Sequence, residues 1–533
     1  MNRIIKYLQK ELADIFNLLG FDTQYAIITP SNRPDISQYQ CNAAFELCKP
    51  FKTNPKEIAQ RIVDKLADKI YISTLSIDGP GFINITLTDS YLIKELVKLQ
   101  ALARAGQLGC YPEHVPKITI IDFCGANVAK PMHVGHLRST IIGDSLSKLA
   151  RHLGDKVITD NHIGDWGTQM GMLICFLKEK KPDLAYFDSN KIGDFPKFPP
   201  VNLADLENMY PEASSRAKTN EAFLKASQQA VLDLQKGHLG YRALWQHFVN
   251  ISIQKLKLDL QSLNIEFDLW RGESYYQEMI PKMVDDLLTK GLAQKSEGAI
   301  ILPIDEVPGL ENGPPLLLMK RDGASLYHTT DLATVINRSQ EHQAQRILYV
   351  VDKRQELHFK QVFAAYKKIT RLSPTSIKTL EHIGFGTVNG KDGKPYKTRD
   401  GGTMKLGDLI ELVIDRANER MIEMGVADSY TETQRNDIAK KVGMATLKFA
   451  DLINNRLSDY IFDIDKFSTF EGKTGPYILY TVVRIKSILN KALNNGYELG
   501  AFIPPLQDQN KVNKASKIER DLILELSLIH ISD

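Results

Sequence analysis

The chain has 533 residues, of which 43% are hydrophobic and 25% are charged, proportions that are ordinary for a folded globular protein. They exclude a disordered, fibrous or collagen-like chain, and the length predicts about three domains. The formal net charge of +3 is too small for nucleic-acid binding through bulk charge alone, so a basic surface for that purpose must be local.

The N-terminal sequence and the cysteines predict a cytoplasmic protein. The first residues, MNRIIKYLQKELADIF, carry charges every few positions and so do not read as a signal peptide. No apolar run reaches the roughly 18 residues of a membrane span. The five cysteines include no C-x-x-C pair, so we expect neither a disulfide framework nor a zinc site or other structural metal.

Residues 1–110 are predicted to form a separate α/β unit. Apolar residues recur at helical spacing in 1–19 and again in 56–70. A Gly-Pro-Gly turn at 79–81 precedes an alternating strand at 82–87, and a helix of about 15 residues follows.

Residues 111–405 are predicted to form a Rossmann-like α/β domain with a parallel sheet. A compact strand at 117–123, a loop, a helix at about 135–153 and a strand at 157–160 follow in the order typical of parallel sheets. Residues 178–310 are more irregular and rich in proline, so we interpret them as an insertion between two halves of the sheet. Further apolar strand candidates lie at 299–304, 346–351 and 380–388.

The rest of the chain is predicted to be helical. We assign 406–472 to a linker or stem and 473–533 to the beginning of an all-α region. Residues 473–520 hold eight basic and three acidic side chains, a local excess of positive charge.

The segment 122–140, DFCGANVAKPMHVGHLRST, contains the strongest chemical pattern. His133 and His136 stand at a predicted helix start, where free backbone amides favour anions such as phosphate. Gly135 between them would let a nucleotide approach the backbone closely. An isolated H-x-x-H is more often a pair of surface or capping histidines, and no glutamate follows the first histidine as in zinc-binding H-E-x-x-H.

This segment resembles a known family. H-V-G-H after a first strand resembles the HIGH signature of class I aminoacyl-tRNA synthetases, and NVAKPMHVGHLRST resembles the arginyl-tRNA synthetases in particular. The resemblance extends from about residue 35 to 490. Other blocks that carry it, in the same order, are 40–43, 79–84, 160–169, 272–274, 327–333, 349–359 and 397–402.

Tyr327 and Asp331 are candidates for recognising arginine. They stand four residues apart, so on a helix they share one face, and an aromatic ring beside a carboxylate suits a guanidinium group. Glu273 could supply a second acceptor. The alternative is that Asp331 caps or salt-bridges a helix while Tyr327 packs in the core. The resemblance adds Asn127 and Gln355 to the arginine site and places His136 between arginine and ATP.

The resemblance also implies the reaction. Arginine would attack the α-phosphorus of ATP, giving arginyl-adenylate and pyrophosphate, and the arginyl group would pass to the terminal adenosine of tRNA(Arg). Mg²⁺ would accompany ATP, no protein nucleophile is needed, and activation would require the tRNA. We expect a monomer that does not bind membranes.

The second family signature, usually K-M-S-K-S, is degenerate here. The corresponding stretch at 397–405 supplies Lys397, Arg399 and Lys405 as candidate phosphate ligands, unless it is a plain solvated turn. Lys130, just before H-V-G-H, is where the family places a compensating cation. A second departure is Gly125-Ala126, where the family usually has Ser-Pro.

A near-match to a dinucleotide motif at 384–389 lacks its last glycine and a following helix, so it does not predict a dinucleotide site.

Two regions are candidates for tRNA contact. The N-terminal unit resembles the additional tRNA-contacting domain of the family. Residues 475–486 resemble the first helix of its anticodon-binding domain and offer Tyr477, Tyr480 and Arg484 for stacking and phosphate contacts, although a solvated helix with core tyrosines explains the composition equally well.

The family's helical domain is longer than the 61 residues that follow Gly472, so we expect this region to be truncated. Two alternatives therefore stay open. One is another nucleotidylyl transferase with the H-x-G-H fold, and the other is a synthetase-like RNA-binding or regulatory protein with impaired charging.

Overall fold

The computed structural model describes residues 3–110, 114–188, 190–304, 310, 313–321, 323–371, 377–393, 404–425, 427–497 and 517–527. The chain divides into two compact units, one drawn from 1–115 and 496–533 and the other from 116–495. Over the described ranges no helix is both long and apolar enough to cross a membrane. All five cysteines are free thiols.

The first unit packs helices on an antiparallel sheet with strand order β1-β2-β4-β3. Its core-facing helix residues Ile4, Leu8, Leu12 and Phe16 recur at helical spacing and are buried, as the sequence pattern predicts. Its elements in chain order are α1 (Arg3–Leu19), β1 (Ile28–Pro30), β2 (Tyr39–Cys41), α2 (Ala44–Phe51), α3 (Pro55–Leu66), β3 (Ile72–Asp78), β4 (Phe82–Leu87) and α4 (Asp89–Arg104).

The second unit is built on a parallel sheet, which confirms the predicted Rossmann-like class. The four strands lie in the order β11-β10-β5-β6, and each pair runs parallel. The elements that form the sheet and its flanking helices are β5 (Ile118–Asp122), α5 (Val134–His152), β6 (Lys156–Asp160), α6 (Thr168–Lys180), α7 (Leu203–Thr219), α8 (Glu221–Gln235), α9 (Leu239–Ser262), α10 (Ile280–Thr289), β7 (Gln294–Ser296), β8 (Ala299–Leu302), β9 (Leu316–Met319), α11 (Tyr327–Glu341), β10 (Arg346–Tyr349), α12 (Glu356–Thr370) and β11 (Thr379–His382).

The strand order explains where a ligand can bind. From β5 the chain proceeds to β6 on one side, and from the neighbouring β10 it proceeds to β11 on the other. The connections after these two strands therefore diverge, and a crevice opens at their carboxyl ends.

The strand candidate at 299–304 differs from the others. β8 pairs antiparallel with β7 and β9 in a separate three-stranded sheet and does not join the parallel sheet. A short apolar run predicts a strand but carries no information on which neighbour that strand will pair with.

The elements described from Val388 onward are helical apart from two very short strands that pair with each other. Helices α13 and α14 pack together, and α14 also packs on α16. Helix α17 belongs to the first unit and packs against α4. These elements are β12 (Val388–Asn389), α13 (Leu406–Glu423), α14 (Glu432–Leu452), β13 (Tyr460–Ile461), α15 (Ile464–Phe467), α16 (Gly475–Asn494) and α17 (Lys517–Ser527).

Candidate active site

A cavity of about 670 Å³ lies at the carboxyl edge of the parallel sheet. Its walls come from the loop after β5, the N-terminus of α5, the first turns of α11, the loop after β10 and residues 385–388. This is the crevice that the strand order opens.

The cavity is lined by residues predicted to bind two different substrates. The residues predicted to bind arginine and those predicted to bind the nucleotide both line it, although they are spread over more than two hundred positions of the chain. The predicted residues that line it are Asn127, His133, Gly135, His136, Glu273, Tyr327, Asp331 and Gln355.

The two signature histidines cap helix α5. The backbone N–H of Gly135 donates to Nδ1 of His133 at 3.0 Å, and the backbone N–H of His133 donates to Nδ1 of His136 at 3.1 Å. A Cβ at position 135 would lie 2.7 Å from the His133 ring, so only glycine leaves that ring in place. Because each Nδ1 accepts a hydrogen bond, each neutral ring carries its proton on Nε2 and offers that N–H as a donor.

Both signature histidines have lowered pKa values. Burial lowers the pKa of His136 to about 3, with the charge of His133 adding to the effect, and burial also lowers the pKa of His133, with Lys130 adding. At neutral pH both rings are therefore uncharged. They can donate hydrogen bonds to phosphate, but positive charge must come from other groups.

Asp331 lies on the opposite wall among aromatic and imidazole rings. Its Oδ2 is 2.6 Å from Nε2 of His358, and its Oδ1 is 4.0 Å from Nε2 of His162. Tyr327 begins helix α11 one turn earlier, is 61% exposed, and stacks on His328 with ring centroids 4.3 Å apart.

Glu273 gives this wall a second carboxyl group. Burial raises its pKa, and the nearby charges of Asp165 and Asp331 raise it further, while His162 opposes them. A cation that entered beside Asp331 would stabilise the ionised form of Glu273. The arrangement therefore favours a positively charged ligand.

A buried ion cluster supports the floor of the cavity. Arg338 of α11, whose side chain is 1% exposed, donates to Asp122 at 2.6 Å and to Asp160 at 2.7 Å. These aspartates end the neighbouring strands β5 and β6, so one guanidinium joins both strand ends to α11.

The loop after β5 has an unusual backbone. Cys124, Gly125 and Ala129 all adopt positive φ, at 75°, 62° and 62°. Gly125 replaces the serine usual in the resembling family, and it holds this left-handed conformation without the steric cost that a side chain would add. The amide of Cys124 donates to Ser139 Oγ at 2.8 Å, and that hydroxyl donates to the carbonyl of Val350 at 2.6 Å.

Two of the predicted phosphate cations, Lys130 and Lys405, lie beside the cavity. Lys130 and Lys405 are not among its lining residues in the part of the chain that the structure describes. Lys130 Nζ sits 4.7 Å from the ring centroid of Tyr210, and Lys405 Nζ sits 2.7 Å from Oε2 of Glu207. Tyr210 and Glu207 both belong to α7, within the segment 178–310 that the sequence predicts to be an insertion.

The end of the second signature loop adjoins the first signature. The backbone of Lys405 bridges to His133, and the amide of Val134 donates to the carbonyl of Met404 at 3.1 Å. Lys397 and Arg399 lie outside the described residues.

The predicted tRNA contacts are far along the chain from this cavity, on α16. Tyr477 and Tyr480 are 44% and 45% exposed, and Arg484 Nη1 donates to the Tyr480 hydroxyl at 3.4 Å. These tyrosines are therefore not core residues within the part of the chain that the structure describes.

Sequence reasoning missed several lining residues. His162 and His358 stand in blocks that carry the family resemblance, but nothing in a single sequence shows that they meet Asp331. Residues 385–388, discounted as a dinucleotide motif, form one wall. Their position after a predicted strand was the available signal.

In the described ranges, no group of three or more His, Cys, Asp or Glu side chains is placed to hold a metal ion.

Family models and related sequences all match this chain to the arginyl-tRNA synthetases. Residues 99–464 match the family model for the catalytic domain of class I tRNA synthetases (R), and residues 2–87 match that for the arginyl tRNA synthetase N terminal domain. An arginine–tRNA ligase of Alkaliphilus oremlandii is 44% identical over 99% of this chain and 87% of its own length. One from Hyphomonas neptunium is 42% identical over the same shares.

Solved structures resemble the fold. Arginyl-tRNA synthetase from Plasmodium falciparum superposes with a TM-score of 0.76 at 24% identity, covering 99% of this chain and 87% of that one. The Thermus thermophilus enzyme gives 0.73 at 20% identity, covering 98% and 86%.

Proposed function

Because this chain belongs to the arginyl-tRNA synthetases, the class I ligases that use ATP to join arginine to tRNA, we propose that the cavity between β5 and β10 is where both substrates react. One observation carries this proposal. The residues predicted to bind arginine and those predicted to bind the nucleotide line the same cavity, at the edge of the sheet where such folds bind their ligands.

In this proposal the guanidinium of arginine binds at the wall formed by Asp331, Glu273 and Tyr327. The two carboxyl groups can accept hydrogen bonds from the N–H groups of the planar guanidinium, and the exposed tyrosine ring can stack on it. The raised pKa of Glu273 supports this placement, since a bound cation would favour its ionised form. Asn127 and Gln355 would hold the main-chain end of the substrate.

ATP enters as its magnesium complex at the N-terminus of α5. His133 and His136 donate from Nε2 to phosphate oxygens, and the helix dipole favours the same negative charge. Lys130 and Lys405, with Lys397 and Arg399 from the second signature, supply the positive charge that neutral histidines do not.

The chemistry requires positioning and charge neutralisation from the protein. An oxygen of the arginine carboxylate attacks the α-phosphorus, and pyrophosphate leaves with the electron pair of the broken P–O bond. The ribose 2′-OH of the terminal adenosine of tRNA(Arg) then attacks the carbonyl carbon of the arginyl group and loses its proton. The bond from that carbon to the phosphate oxygen breaks, and AMP leaves. Both steps gain from donors fixed beforehand around the phosphate.

The flanking regions are proposed to hold the tRNA. Residues 1–110 would contact it as an additional domain, 406–472 would serve as a stem, and Tyr477, Tyr480 and Arg484 would lie in the anticodon-binding region from 473 onward. Exposed tyrosines near a basic side chain support base stacking there. We propose a monomer that works in the cytoplasm, where its free thiols would remain reduced.

ATP–pyrophosphate exchange measured with each amino acid, with and without tRNA, tests the proposal. We expect exchange with arginine alone, and only when tRNA(Arg) is present. Exchange supported by a different amino acid would refute it.

A further inference from the structure

Asp331 is held by a neighbouring side chain within the protein itself. Nε2 of His358, on α12, lies 2.6 Å from Oδ2 of Asp331, although the two residues stand 27 positions apart. The His358 side chain is 10% exposed and that of Asp331 is 20% exposed, so this hydrogen bond is well shielded from water. A carboxylate can only accept, so the imidazole proton must lie on Nε2.

The other nitrogen of the same ring is not engaged. Nδ1 of His358 is buried and has no hydrogen-bond partner in the described part of the chain. A buried histidine that served only to join helices would be expected to use both nitrogens. Here the single polar function of the ring is its hydrogen bond to Asp331.

The ring is also fixed in orientation. Its centroid lies 4.5 Å from that of His328, 4.9 Å from that of Phe359 and 5.2 Å from that of Tyr327. Three rings at van der Waals range leave little room for rotation. The Asp331 carboxylate is therefore held at one oxygen by a donor that cannot turn away.

The second oxygen is left for a ligand. Oδ1 of Asp331 lies 4.0 Å from His162, beyond hydrogen-bond range, and makes no hydrogen bond to any residue that the structure describes. We propose that His358 is a positioning residue for substrate recognition, which fixes the Asp331 carboxylate through Oδ2 and presents Oδ1 to the guanidinium of arginine. This inference rests on the proposed role of Asp331 in binding arginine.

A fixed carboxylate matters more for arginine than for lysine. The guanidinium is planar and its N–H groups point in set directions, whereas an ammonium is a compact charge with rotatable donors. A carboxylate free to rotate would lose directed hydrogen bonds to arginine while keeping most of its attraction for lysine. His358 would therefore contribute to selectivity as well as affinity.

Two substitutions separate the donor from the shape of the side chain. His358→Gln keeps an N–H donor at nearly the position of Nε2, and His358→Leu keeps comparable bulk without a donor. We expect His358→Leu to raise the KM for arginine about tenfold, as loss of a supporting hydrogen bond does at other sites, and to leave the KM for ATP unchanged. The KM of His358→Gln for arginine should stay within about twofold of the parent value. Arginine binding measured by calorimetry should follow the same order.

His382→Leu is the matched control. His382 is a half-buried histidine whose ring stacks on Phe359 with centroids 5.0 Å apart, and its Nε2 contacts the carbonyl of Val351 at 3.0 Å. It does not contact Asp331, so its loss should not change the KM for arginine. If His358→Leu does not fold, His358→Asn replaces it, because the shorter amide cannot reach Oδ2.

The outcomes distinguish this inference from the function on which it rests. Failure of the parent enzyme to charge tRNA with arginine would refute the proposed function. If Asp331→Ala abolishes arginine binding but His358→Leu does not weaken it, only the positioning role is refuted. An equal loss in the Gln and Leu variants would also refute it, since the donor would then be irrelevant.

Discussion

The Nε atom of Arg138 lies 2.9 Å from Oδ1 of Asp451, and the two side chains are 1% and 0% exposed. Arg138 follows the signature histidines on α5, and Asp451 lies in the last turn of the long helix α14. Arg138 also donates to the carbonyl of Ser458 at 2.8 Å, and its guanidinium lies 5.0 Å from the centroid of the Tyr460 ring. Helix α5, which begins at the signature histidines, is thus fixed to the C-terminal part of its unit.

We expect Asp451→Ala to lower the free energy of unfolding by about 3–5 kcal/mol, because it leaves the Arg138 charge buried without its partner. Urea denaturation measures this. Asp437→Ala is the control, since Asp437 pairs with Lys441 on the same helix at the surface and should cost at most about 1 kcal/mol. Equal losses in the two variants would contradict a structural role for the buried pair.

Asp331→Ala should weaken arginine binding about 100-fold, because the guanidinium loses a charged acceptor in a partly buried site. Calorimetric titration with arginine measures the change, and ATP binding to the same variant serves as its internal control. Unchanged arginine affinity would show that Asp331 does not bind the substrate.

Lys405→Ala should raise the KM for ATP about tenfold while the KM for arginine stays the same, because it removes a cation beside His133, where we propose that ATP phosphates bind. Steady-state aminoacylation measures both constants. Lys441→Ala removes an exposed lysine of α14 and should change neither. If Lys405→Ala leaves the KM for ATP as unchanged as Lys441→Ala does, Lys405 does not contact the phosphates of ATP.

Stability should fall as the pH drops below about 6.5, because burial holds the pKa of His136 near 3 in the folded protein. In that range His136 binds a proton in the unfolded chain but not in the folded chain. The stability that this residue contributes is therefore complete above its unfolded pKa and is lost as the pH falls. Between pH 7.5 and 5.5 the loss from this residue is on the order of 1 kcal/mol. Urea denaturation of the parent and of His136→Gln at both values measures it, and an equal pH dependence in the two would contradict the assignment.

Local patterns were sufficient to predict much of the fold. The strand Phe82–Leu87 and the helix Val134–His152 lie where period and turn residues place them. The partner of β8 was not predictable, because an apolar strand pairs according to the fold around it and not according to its own residues.

In the candidate site, too, the sequence predicted the residues but not the contacts between them. The family motifs led to the eight predicted residues that line the cavity, since each motif stands at a strand end or a helix start. The hydrogen bond between His358 and Asp331 and the pairing of Lys405 with Glu207 could not be predicted. Each joins residues distant in the chain, and such contacts depend on helix placement that only the folded packing determines.

Arg338 donates hydrogen bonds to the ends of both β5 and β6, which joins helix α11 to the parallel sheet. Arg338 stands seven residues after Asp331 on α11, about two helical turns. Its two hydrogen bonds hold α11 against the ends of these strands, so the spacing between Asp331 and the N-terminus of α5 is set by the protein and not by the ligand. If Asp331 and the N-terminus of α5 bind arginine and ATP phosphates as we propose, a shorter cationic amino acid such as ornithine would not span this spacing, and the pocket would select its substrate by length as well as by charge.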